Sequence, residues 1–116
     1  MSFKRADRVN GLLQRELGML ISEELRDPRI VFPTVTGVQI TGDLRLAKVF
    51  VSVLGDDAAM KATITALSEA RPFIRHRLGD RTDLRFVPEL EFVPDRAAAR
   101  ATRISQLLRE SRGAEE

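Results

Sequence analysis

Five arginines, Arg71, Arg75, Arg77, Arg81 and Arg85, stand close together against only Asp80 and Asp83, a local excess of three positive charges in a chain whose formal net charge is +2. Guanidinium groups are planar, charged at all ordinary pH values and forked in a way that matches phosphate oxygens, so the chemistry open to this cluster is the binding of a polyanion. Within it lies Ala70-Arg71-Pro72. Proline clashes with a preceding helical turn yet suits the start of a new helix, so these three residues predict a bend between two helical segments. A bend also opens helix N-terminal amides, which favour anions. Nucleic acid is therefore the first functional class the residues suggest, with Arg75 the strongest single candidate for a phosphate contact. The plainer reading of the same cluster is a solvated helix face paired with Asp80 and Asp83.

Other cations extend the candidate surface. Lys4, Arg5 and Arg8 form a second basic patch at the start of the chain. Lys48 belongs to the strand face opposite Ala47, Val49 and Val51. Arg29 follows Asp27-Pro28, where its first role is a guanidinium held near a helix stop and its second is RNA contact. Phe73 and Ile74 read as core, as large apolar residues usually do. His76 lies between arginines and is assigned no catalytic role. Glu89 and Glu91 share one strand face, where paired carboxylates can do acid-base chemistry in principle; an exposed acidic edge is the simpler account.

Composition narrows the classes further. With 116 residues, 43% of them hydrophobic, the chain suits one domain with its own core. No cysteine and a single histidine leave no disulfide, no thiolate nucleophile and almost no ligands for zinc or iron, so neither a cofactor nor a metal is expected. No leader segment or bilayer-spanning run is visible, which predicts a cytoplasmic protein with no membrane partner. Residues 71–86 sum to +3 and residues 87–95 to −3, so a basic surface lies next to an acidic one. Phenylalanine is the only aromatic residue type, which is a poor fit to a sheet that stacks bases on exposed rings.

Periodicity supplies the elements that must position these residues. Val9, Leu12, Leu13, Leu17, Leu20, Ile21 and Leu25 recur at helical steps and predict an amphipathic helix ending near Arg26, ahead of Pro28. Gly11 and Gly18 weaken it and suggest close packing of another backbone. Val35 to Ile40 and Leu46 to Leu54 predict an antiparallel pair of strands joined through Thr41-Gly42-Asp43. Asp56 or Asp57 caps the next helix, which carries Met60, Ile64 and Leu67 on one side before the bend. Gly79 is expected to end the second helical piece. Leu84, Phe86, Pro88, Leu90 and Phe92 alternate through a third strand, with Pro88 placing it at an edge or a bulge. A last helix is expected over Ala97 to Leu108, with Ser111 to Glu116 a disordered tail. The order gives an α+β domain over residues 1–110.

Several segments together resemble the ribosome-binding factor A family of small bacterial assembly factors. They are Arg8-Val9, Glu24-Leu25-Arg26-Asp27-Pro28-Arg29, the run from Asp43 to Ser52, Phe73-Ile74-Arg75, the run from Leu84 to Phe92, and Arg103-Ile104-Ser105-Gln106-Leu107-Leu108. The resemblance implies a single type II KH-like domain: helix, strand, strand, bent helix and strand, with a C-terminal helix. It implies a non-catalytic factor that binds the small (30S) ribosomal subunit or its precursor and assists late 16S rRNA processing and maturation, including in the cold. Family members carry Ala-x-Gly at the kink where ordinary KH domains have a Gly-x-x-Gly loop; here Ala70-Arg71-Pro72 puts proline in the glycine's place and removes an N–H. Near the C-terminus Ala97-Ala98-Ala99 and Ala101 replace the family's serine and glycine.

The expected RNA-binding set is thus Arg71, Arg75, Arg77, Arg81, Arg85, Lys48, Arg5, Arg8 and Arg29. The partners are the small subunit and its 16S rRNA, with ribosomal proteins or other assembly factors as further candidates, and the chain is expected to be a monomer. The alternative is a protein-interaction module that uses the acidic strand of Glu89, Glu91 and Asp95 without touching RNA. An enzyme lacks support, because no glycine-rich phosphate loop, activated nucleophile or metal cluster is present.

Overall fold

Helix α1 (Ser2–Glu24) buries Leu13, Leu17, Leu20 and Ile21 along one stripe, as the spacing requires. The computed structural model describes residues 2–96; the expected helix from Ala97 to Leu108, the tail from Ser111 and the domain boundary at residue 110 lie outside the described residues. The helix stops where the chain approaches Pro28, and the Asp27 carbonyl accepts the Ile30 N–H at 3.0 Å to close the turn. Gly11 and Gly18 do not serve close packing, because nothing lies within 4 Å of where a Cβ would stand at either.

Strands β1 (Thr34–Ile40) and β2 (Leu46–Ser52) pair antiparallel, and β3 (Glu89–Pro94) runs parallel to β2, giving the order β1-β2-β3. A parallel neighbour cannot be reached by a hairpin; the crossover is made by α2 (Asp57–Glu69) and α3 (Arg71–Arg81). The register of β1 slips between Val35 and Gly37. The extra residue lets Val35 and Val38, three apart in sequence, both point inward. They join Ala47, Val49, Val51, Leu90 and Phe92 on the face covered by the helices, against Leu67, Ile74 and Leu78. Lys48 is exposed on the opposite face, in register with Gln39 and Glu91.

Three boundaries differ from the sequence expectation. The third strand begins at Glu89, not Leu84, because β2 offers no partner beyond Leu46: the Glu89 N–H donates to the Arg45 carbonyl at 2.8 Å, and before that point the neighbouring chain has already turned into the hairpin loop. Pro88, with no N–H to give, closes the irregular segment. Helix α3 continues past Gly79 to Arg81 and ends at Thr82, whose backbone is extended and whose hydroxyl donates to the Leu78 carbonyl at 2.7 Å. Strand β2 ends at Ser52, two residues short of Leu54, which is exposed.

Candidate nucleic-acid interface

The bend falls on Ala70, which closes α2 and opens α3 with φ −87° and ψ 2°. Its N–H donates to the Ala66 and Leu67 carbonyls at 3.1 Å each, and its own carbonyl accepts from Ile74 at 2.9 Å, so helical bonding passes through the bend. Pro72 is the second residue of α3. Arg71 and Pro72 are exposed, and Arg71 makes no ion pair among the described residues. Phe73, expected in the core, is 45% exposed, whereas Ile74 is fully buried. Phe73 precedes the buried Ile74 and Leu78 stripe and so points away from it.

The cluster of five arginines divides by direction. Arg77 and Arg81 turn to α1: Arg77 Nε lies 2.7 Å from Glu24 Oε1, and Arg81 Nε lies 2.9 Å from Glu16 Oε2 with Nη1 at 3.2 Å from Glu24 Oε2. The Arg77 hydrogen bond, joined by Arg81, holds the Glu24 carboxyl below its ordinary range. Both guanidinium groups are held more firmly protonated in return. Arg77 also reaches Asp80 at 3.0 Å, while Asp83 makes no ion pair among the described residues. Carboxylates of α1, not Asp80 and Asp83 alone, are what these side chains satisfy.

Arg75 has a different task. Its Nε donates to the Pro88 carbonyl at 3.1 Å and its Nη2 to the Val87 carbonyl at 2.9 Å, with Glu89 at 3.4 Å. The fork thereby fastens the segment between Thr82 and Glu89 to α3. Arg85 sits in that segment, is exposed and makes no ion pair among the described residues.

Beside it opens a groove of about 610 Å³, bounded by the start of α1, the hairpin loop and the 84–88 segment. Arg5, Arg45, Arg75 and Arg85 line it against Asp43 and Glu89. Both carboxylates are already engaged. Asp43 Oδ1 accepts from the Thr41 hydroxyl at 2.6 Å and the Arg45 N–H at 3.1 Å, contacts that hold its carboxyl below the usual range. Glu89 faces Arg75. Arg5 and Arg85 therefore present positive charge to the groove with no ion pair among the described residues, and Arg45 adds to it from beside Asp43, whose carboxyl its charge also lowers. Asn10 ties this end together: its Oδ1 accepts the Ile40 N–H at 2.9 Å and holds α1 against the end of β1. Leu44, at φ 62°, makes the sharp turn that presents Arg45, and its N–H donates to the Thr41 carbonyl at 2.9 Å.

The remaining candidates are scattered. Arg8 is exposed one turn along α1 from Arg5 and extends the same patch. Lys48 lies apart, on the open sheet face. Arg29 is drawn in by Asp27 at 2.7 Å and Glu69 at 2.8 Å, which depresses Asp27 and raises the guanidinium. Its carbonyl accepts from the buried Thr63 hydroxyl at 3.1 Å, which ties the turn to α2. His76 is exposed, with Asp80 at 3.8 Å one turn on. Of the acidic candidates, Asp95 just past β3 accepts from the Thr36 hydroxyl, and Glu89 forms an ion pair with Arg75 at 3.4 Å. Arg45 and Phe86 were not among the sequence candidates. Arg45 follows the Thr41-Gly42-Asp43 turn, which is its signal in the sequence; the alternation from Leu84 to Phe92 hides Phe86 within an expected strand.

Among the described residues no group of three or more histidine, aspartate or glutamate side chains is arranged to hold a metal, and no helix is long and apolar enough to cross a membrane. The chain matches the family model for ribosome-binding factor A over residues 5–108. It is similar to the crystal structure of ribosome-binding factor A from Thermus thermophilus, with 30% identity, a TM-score of 0.72 and coverage of 79% of this chain and 97% of that one. A model of the Thermus thermophilus factor fitted to a cryo-EM map of its 30S complex gives 32% identity and a TM-score of 0.65, covering 75% of this chain and 91% of that one. A solution NMR structure of a Thermotoga maritima protein, a candidate ribosome binding factor A, gives 33% and 0.61, covering 73% and 85%. The α+β order seen here is the KH-like fold of those structures, and with the family match extending over nearly the whole described chain, the protein belongs to the ribosome-binding factor A family.

Proposed function

We propose that this chain binds the small ribosomal subunit or its precursor without catalysing a reaction, and that it assists late maturation of the 16S rRNA, with Arg5, Arg8, Arg45, Arg71 and Arg85 as its phosphate contacts. The observation that carries the RNA reading is the groove in which Arg5, Arg45 and Arg85 converge from three separate elements, Arg5 and Arg85 without an ion pair among the described residues. Such convergence is an electrostatic footprint for a phosphate backbone. Support for the small subunit as partner comes from family membership and from the related factor placed in a 30S complex. Arg75, Arg77, Arg81 and Arg29 belong to this proposal in a second capacity: they fix the bend and the 84–88 segment and reach RNA only by giving up their present partners.

Cosedimentation of the full chain with purified small subunits, across a series of salt concentrations and beside large subunits, tests the proposal. Binding should be confined to the small subunit and weaken steeply with salt, because each phosphate contact releases condensed counterions. Binding that is indifferent to salt would favour a protein contact through the acidic strand.

A further inference from the structure

Phe86 is 81% exposed, the most exposed large apolar side chain among the described residues. The ends of its segment behave oppositely. Leu84 and Val87 pack against the core and Pro88 is buried, so Arg85 and Phe86 form an outward-facing pair between inward-facing residues. The backbone cannot readily relax to hide the ring, because Arg75 holds the Val87 and Pro88 carbonyls at 2.9 and 3.1 Å. A phenylalanine presented on a fastened segment, at the rim of a groove lined by Arg5, Arg45 and Arg85, is a combination of a flat apolar face and phosphate-binding donors. Unstacked RNA bases are held in this way, by stacking on an aromatic ring with guanidinium groups on the adjoining phosphates.

We infer that the groove is a site for one unpaired RNA nucleotide, its base stacked on Phe86 and its flanking phosphates held by Arg5, Arg45 and Arg85. The volume of about 610 Å³ lies within the usual range for a small-ligand cleft. The site draws on α3 only through Arg75, in the middle of that helix. A double helix has no base to offer the ring, so the site selects single-stranded or extruded nucleotides over duplex. This inference rests on the proposed RNA binding and adds the kind of RNA recognised.

The test compares the full-length wild type, Phe86→Ala, Phe86→Trp and the triple Arg5→Ala, Arg45→Ala, Arg85→Ala on two probes, a short single-stranded oligoadenylate and a matched RNA duplex, with small-subunit binding measured in parallel. The wild type should prefer the single strand. Phe86→Ala should lose about fivefold or more in affinity for it while its salt dependence stays unchanged, since no phosphate contact is removed. Phe86→Trp should keep the affinity, and its fluorescence should be quenched by the single strand and not by the duplex. If Phe86→Ala binds the single strand like the wild type while the arginine triple does not, the nucleotide site is overturned and RNA binding stands. If the wild type ignores the single strand, the site is likewise overturned, and the small-subunit measurements decide the broader reading separately. Unchanged small-subunit binding by the triple would overturn the groove as the subunit contact and leave the binding itself in place.

Discussion

At the scale of residues, the arginines do two kinds of work that charge alone does not separate. Arg75 uses its planar fork to bridge two consecutive carbonyls, a geometry that lysine's point charge cannot reproduce. Arg75→Ala should therefore destabilise the fold by about 1 kcal/mol and speed amide exchange in the 84–88 segment, with Arg75→Lys recovering only part of the loss. Urea melts and hydrogen exchange would check this; exchange there unchanged from the wild type would show that the segment holds itself. Glu24 gives a prediction in pH. Its carboxyl titrates below its ordinary value of 4.5, chiefly because Arg77 donates to it. A depressed folded value means that the stabilisation is complete above about pH 4.5 and is lost as pH falls through the folded value. Glu24→Gln should thus melt below the wild type at neutral pH, and the gap should narrow on acidification. A gap constant from about pH 7 to about pH 3 would rule out the ion pair as its source.

Among the elements, α1 and the bend carry separate expectations. Gly11 and Gly18 sit in a helix with open space around them, so Gly11→Ala or Gly18→Ala should each stabilise by about 0.5–1 kcal/mol through helix propensity and a less flexible unfolded chain. A loss of stability in thermal melts would mean that the space is in use. At the bend, α3 is held independently of Pro72 by the buried Ile74 and Leu78 and by the ion pairs of Arg77 and Arg81 to α1. Pro72→Ala should keep the angle, with amide shifts in β3 and α1 unmoved, and lower stability by about 0.4–1 kcal/mol. Widespread shifts would show that proline sets the angle. Much of this level could be read from the chain: helical spacing gave α1, Asp-Pro gave its stop, and the proline gave the break within one or two residues. The third strand's start could not, because alternation from Leu84 to Phe92 says nothing of whether a neighbour strand reaches that far. Gly79 misled for a related reason, since a glycine tolerated inside a helix looks the same in sequence as one that ends it.

Over the whole molecule, charge placement depends on which elements the fold brings together, and that is where sequence reasoning was least able to see the site. Arg77 and Arg81 face carboxylates more than fifty residues away, a pairing invisible along the chain. Arg5, Arg45 and Arg85 are likewise widely separated and meet at one groove. In the proposed function this groove, and not net charge, carries subunit binding. The most direct measurement is the slope of log affinity for small subunits against log salt, for wild type, for the alanine triple at Arg5, Arg45 and Arg85, and for a control alanine triple at the exposed Arg15, Arg26 and Lys61, which changes net charge equally. The groove triple should bind at least tenfold more weakly at low salt with a slope shallower by about 0.7–0.9 for each phosphate no longer held, while the control stays close to wild type. Equal weakening and equal slopes in the two triples would contradict the claim and leave only a general attraction between a basic protein and RNA.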